Sequence, residues 1–134
     1  MSEENVEIVR NAIAAFDRGD IEGVLRLCDA EIVITQPPEL PGVSREQHGH
    51  QGVLEALAIW PEQWDDYRIE VLRIAAAPGD KVFVTQRARG RGKQSGVEVD
   101  MDFSFVFTLR GGNISEWHLF MQEEQALEAA GLSE

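Results

Sequence analysis

Two runs of alternating side chains, residues 97–109 and 114–121, meet at Gly111-Gly112-Asn113. Gly-Gly and Gly-Asn are signals for two-residue hairpin turns, in which central positions take positive φ at little cost to glycine. The pair therefore predicts a long antiparallel hairpin, and a hairpin with an apolar face needs a covering layer. That layer is encoded earlier in the chain. Val6, Val9, Ile13 and Phe16 recur at helical spacing behind Ser2, a capping residue followed by Glu3 and Glu4. Gly19 ends this helix and Asp20 caps the next, over residues 21–28, with Ile21, Val24, Leu25 and Cys28 inward. A β-branched strand at 31–35 stops at Pro37-Pro38-Glu39-Leu40-Pro41. A third helix is expected over 49–60, with Pro61 breaking or restarting it before Trp64. Strands at 67–76 and 81–88 precede the hairpin, and a short helix at 123–130 closes at Gly131. The expectation is one α+β domain over residues 1–134.

A two-residue turn also fixes which side chains share a face. Odd residues of one strand then stand beside even residues of the other. Met101, Phe103, Phe105, Phe107 and Leu109 would share a wall with Ile114, Glu116, His118, Phe120 and Gln122. A polar side chain buried without a partner costs about 1–3 kcal/mol. Glu116 and His118 on an aromatic wall therefore imply mutual pairing or a cavity holding water or ligand. The opposite face would carry Trp117, Leu119 and Met121 as an apolar stripe among polar neighbours. Such a stripe predicts a homodimer there, with the C-terminal helix folding back as the competing cover.

Charge narrows the partners. Asp and Glu number 24 against 12 Lys and Arg, net −12, which repels phosphates and argues against nucleic acid and anionic membrane surfaces. No apolar run approaches the roughly 20 residues needed to span a bilayer. The single cysteine, Cys28, allows no internal disulfide and reads as a buried structural thiol. With an acidic, polar N-terminus unlike a signal peptide, the expected location is cytoplasmic. Arg87, Arg89, Arg91 and Lys93 read as partners for carboxylates. His48 and His50 flank Gly49 without regular ligand spacing, so they read as capping or rim residues, and neither metal nor organic cofactor is expected.

Several stretches carry a family resemblance. Ala15-Phe16-Asp17-Arg18-Gly19-Asp20 with Asp29-Ala30-Glu31-Ile32 resembles the opening of SnoaL-like polyketide-cyclase domains, part of the NTF2-like superfamily. Gly49-His50-Gln51-Gly52-Val53 looks like that family's third-helix motif. Ser95-Gly96-Val97-Glu98-Val99 and Arg110-Gly111-Gly112-Asn113-Ile114 look like its late hairpins. The resemblance implies an NTF2-like cone, with three N-terminal helices on a curved antiparallel sheet enclosing a pocket. It also implies a carboxylate near the end of the last strand in enzymes of this type, where this chain has Gln122. Many relatives carry a histidine where Phe105 stands.

Two readings follow. One is a domain that binds a small apolar molecule without catalysis, with Phe105, Phe107, Phe120 and Trp60 around the ligand and Gln86 and Gln122 hydrogen-bonding it. The alternative is a cofactor-independent acid–base enzyme of cyclase, isomerase or epoxide-hydrolase type acting on a small cyclic substrate. In that case His118, with an ordinary pKa near ~6.5, moves a proton and Glu116 orients it.

Overall fold

The structure is a computed structural model describing residues 2–39 and 45–132, with the backbone alone at residues 2, 59–61 and 63. Helices α1 (Ser2–Asp17) and α2 (Ile21–Arg26) lead into strand β1 (Cys28–Thr35). A short strand β2 (Glu46–His48), absent from the sequence reading, precedes helix α3 (Gly49–Gln63). Strands β3 (Trp64–Ala77), β4 (Lys81–Gly92), β5 (Glu98–Arg110) and β6 (Asn113–Phe120) then follow, and helix α4 (Glu123–Ala130) ends the chain's regular structure. The strands form one sheet in the order β2-β1-β6-β5-β4-β3. Neighbours pair antiparallel except β1 and β6, which run parallel.

Local chemistry accounts for most of these boundaries. Asp20 caps α2, its side chain accepting from the Gly23 N–H at 3.0 Å. That bond, then burial working against it and the nearby Arg18, leave the Asp20 carboxyl with a lowered pKa. Helix α3 runs through Pro61, where a break or restart is expected from the sequence. The proline stands in the final turn, so the missing N–H removes one hydrogen bond near an end that is already incomplete. The β5–β6 turn has Gly111 at φ 60° and Gly112 at φ 85°, the two positive angles that the Gly-Gly signal predicts.

Beyond that turn the register departs from the expectation. Arg110 pairs with Asn113 and Leu109 with Ile114, as a two-residue turn requires. The next pair is Thr108 with Glu116, so Ser115 is an inserted residue, a β-bulge. Its hydroxyl donates to the Thr108 carbonyl at 3.1 Å. One extra residue exchanges the two faces of everything after it. Phe107 therefore stands opposite Trp117 and Phe105 opposite Leu119, while His118 faces Val106 and Phe120 faces Ser104. The shared wall expected for Glu116, His118, Phe120 and the phenylalanines of β5 is overturned.

The main core lies between α1, α2 and α3 and the inner sheet face. It includes Val9, Ala15, Val24, Ile32, Ile34, Val53, Phe103, Phe105, Phe107, Ile114 and Leu119. Each such large side chain contributes about 1.5–3 kcal/mol on burial. Trp117 and Met121 pack against the same core. The apolar stripe expected to seat a second subunit is therefore interior. On the outer face α4 covers one end, burying Phe83 and Val106 beneath Ala126 and Ala130, with Phe120 and Leu127 against them. At the other end Arg87 meets Asp102 at 2.9 Å, Arg89 meets Asp100 at 3.3 Å and Arg91 meets Glu98 at 3.8 Å. The three arginines of the basic run pair with carboxylates as expected, and Lys93 has no such partner among the described residues.

Candidate functional site: an apolar cavity inside the sheet

Inward side chains of β1, β3, β4, β5 and β6 and of α1, α2 and α3 surround a cavity of about 80 Å³. One sheet can supply five walls of a single cavity only by curving around it. The floor is aromatic. Trp117 lies nearly parallel to Phe107, at 6.1 Å and 21°, and 6.0 Å from Phe105. Ile32, Ile69, Leu119 and Phe103 extend the apolar lining. Opposite them, Phe16 meets Tyr67 edge-on at 6.0 Å. Phe16, Leu57 and Tyr67 line both the cavity and an outer groove beside Ile21, Leu54 and Ala58, so they form the partition between the two.

No Asp, Glu, His, Lys or Arg lines the cavity among the described residues. The two titratable groups that do, Cys28 and Tyr67, are held neutral. Burial pushes the Cys28 thiol up to about 11, far from the lowered values of reactive thiols. Burial, and secondarily the charge of Asp17, also raises the Tyr67 phenol. Two amides complete the polar lining. Gln36, 4% exposed, donates from Nε2 to Gln47 Oε1 at 3.1 Å. Gln86, 7% exposed and opposite Phe103 on the inner face, has no hydrogen-bond partner for its side chain among the described residues. The Trp117 Nε1–H is likewise buried without a partner.

The structure divides the sequence-derived site. Phe105, Phe107 and Gln86 line the cavity. His118 and Glu116 do not: they stand on the outer face, where His118 Nε2 donates to Glu116 Oε1 at 2.8 Å. His118 and Phe120 border a separate groove with Pro37, Pro38, Arg45 and Gln125. Gln122 is exposed at the start of α4, and the Trp60 side chain lies outside the described residues. His48 bonds Glu46 at 3.2 Å and His50 bonds the Cys28 carbonyl at 3.1 Å, so the two histidines serve different partners.

Gln36 and Tyr67 are cavity residues that no sequence pattern singles out, and Trp117 and Leu119 line the cavity where the unbroken hairpin places them on the outer face; for these two a signal exists. Ile114 and Trp117 are three apart, and Leu119 and Met121 then continue at every second position. An apolar alternation that changes phase once is the mark of a bulge, and following it would have put Trp117 and Leu119 inside.

The geometry has parallels among known proteins. An NTF2-like protein of unknown function from Burkholderia pseudomallei superposes with a TM-score of 0.78 at 20% identity, over 95% of this chain and 97% of that one. An NTF2-like protein from Burkholderia xenovorans gives 0.72 at 28% identity, over 97% of each chain. TerC, co-crystallised with polyporic acid, gives 0.78 at 23% identity, over 95% of this chain and 97% of that one. No curated protein sequence matches the chain. The model of the SnoaL-like domain family matches residues 9–117, which takes in the second half of α1, all of α2 and α3, and the strands as far as Trp117 in β6, and the chain belongs to that family.

Proposed function

We propose that the domain binds a small apolar molecule in the sheet cavity and performs no acid–base chemistry on it. The observation that carries this reading is the lining: aromatic and aliphatic walls, neutral amides, and no carboxylate or imidazole among the described residues. Proton transfer needs a group of suitable pKa within hydrogen-bond reach of the reacting atom. His118 and Glu116, the sequence's candidates for that role, are separated from the cavity by the sheet itself. The co-crystallisation of TerC with polyporic acid is consistent with ligand binding on this fold, although fold alone does not carry function.

The homodimer expected on Trp117, Leu119 and Met121 loses its surface, since these residues pack into the core. A reducing, cytoplasmic location remains our inference from the lone Cys28. No helix among the described residues is long and apolar enough to cross a membrane.

Toluene titrated into the protein by calorimetry tests the reading. Saturable binding at one site, lost when Ala56 on the cavity wall is replaced by Phe, is the expected result. Absence of binding in the wild-type protein, both by toluene and by its hydroxyl-bearing analogue phenol, would overturn it.

A further inference from the structure

Gln86 is a buried residue that lines the cavity, and its side-chain amide makes no hydrogen bond to the described residues; it is not sealed in the protein as the Trp117 Nε1–H is. Leaving such a group unpaired in an apolar setting is costly, and a leucine of similar volume would be the cheaper occupant. Its position makes the amide useful. On β4 it lies across from Phe103, beside the aromatic floor, and it lines the cavity. Gln36 lines the same cavity from the end of β1 and has one amide hydrogen committed to Gln47, leaving its own Oε1 without a partner among the described residues. The polar character of the cavity thus comes from uncharged groups: two amides that can both donate and accept, and the Trp117 Nε1–H, which can only donate.

Resting on the binding reading above, we infer that the ligand is an uncharged molecule with an apolar body and a hydroxyl or carbonyl oxygen, and that Gln86 is the residue that reads this oxygen. The amide can donate to a carbonyl or accept from a hydroxyl, so it serves either oxygen. An anion or cation would leave water for a lining that offers no counter-charge among the described residues, a cost that burial makes prohibitive. A pure hydrocarbon would fill the space and leave Gln86 unsatisfied.

Three single-ring probes separate the possibilities, since the cavity is small: toluene, phenol and benzoate, each titrated into wild-type protein and into Gln86→Leu near neutral pH. Wild type should bind toluene and phenol and should not bind benzoate. Gln86→Leu should keep toluene within twofold and lose phenol affinity by about fivefold to tenfold, the worth of one neutral hydrogen bond. The variant removes an unpaired amide, so it should fold; Gln86→Met is the substitute if it does not. Toluene binding with an unchanged phenol affinity in the variant would overturn the role of Gln86 while leaving the apolar-binding reading intact. Benzoate binding as tight as phenol would overturn the requirement for a neutral ligand. Failure of all three probes to bind wild type would overturn both.

Discussion

Trp117 and Phe107 face each other across β5 and β6 with their rings 6.1 Å apart and 21° from parallel. A plain hairpin with the same turn would place Trp117 on the outer surface and Glu116 and His118 among the phenylalanines. The inserted Ser115 decides between the two arrangements. Its effect is large because side chains alternate with period two, so one extra residue inverts a whole strand.

Deleting Ser115 should therefore be far more damaging than a surface deletion. Without the extra residue the strand must expose Trp117 and Leu119, or break its pairing with β5 to keep them inside. Loss of cooperative thermal unfolding by circular dichroism is expected. A variant that melts like wild type would show that the strand absorbs the change elsewhere.

His118 gives the complementary test. Its side chain is 29% exposed and its partner Glu116 is 49% exposed, so their pair is a surface one, worth about 0–1 kcal/mol. His118→Phe should change stability by no more than that and leave toluene affinity within twofold. A loss of ligand affinity in calorimetry would tie the outer face to the cavity.

Glu123 fastens α4 to the sheet. Its Oε2 accepts from Thr85 Oγ1 at 2.7 Å, and its Oε1 from Arg73 Nη1 at 3.1 Å. Thr85 is buried and also bonds Ser104 at 2.8 Å, so it keeps one partner when Glu123 is removed. An eight-residue helix has little stability of its own and depends on its docking. Glu123→Ala should cost about 1–2 kcal/mol in urea unfolding. Amide exchange should quicken across α4 before it does in β5; uniform quickening would mean that α4 is no separate unit.

Cys28 makes stability depend on pH in the alkaline range. The thiol moves from an ordinary value of 9.0 to about 11 in the folded protein. Below pH 9 the thiol is protonated whether the chain is folded or not, and no stability is lost. Between pH 9 and about 11 the unfolded chain releases this proton while the folded one retains it, so stability falls as pH rises. Tyr67, also raised by burial, adds to the fall at higher pH. Denaturant midpoints measured from pH 8 to 10.5 should decline, and Cys28→Ala should reduce the slope. An unchanged slope in that variant would assign the decline to other groups.

Much of the fold was legible because its signals are local. Helical spacing from Val6 to Phe16, the Asp20 cap, the Gly111-Gly112 turn and the pairing of Arg87, Arg89 and Arg91 with carboxylates each depend on near neighbours or strand alternation. The small strand β2 has no such signal, because its three residues have no pattern of their own and exist as a strand through pairing with β1.

From the sequence alone came the order of elements apart from β2, the family, the inward direction of Phe105, Phe107 and Gln86 toward a pocket, and a chain whose lone thiol belongs in the core. Tertiary structure decided which face of β6 looks into that pocket, and with it the exclusion of His118 and Glu116 from the site. A turn constrains the register only until the first irregularity. Past Ser115 the choice fell to burial energy, which favours Trp117 and Leu119 inside and the solvated, hydrogen-bonded pair of His118 and Glu116 outside. That balance is a property of the packed sheet, with β1 running parallel beside β6 and α4 closing the outer face, and no two residues adjacent in the chain contain it.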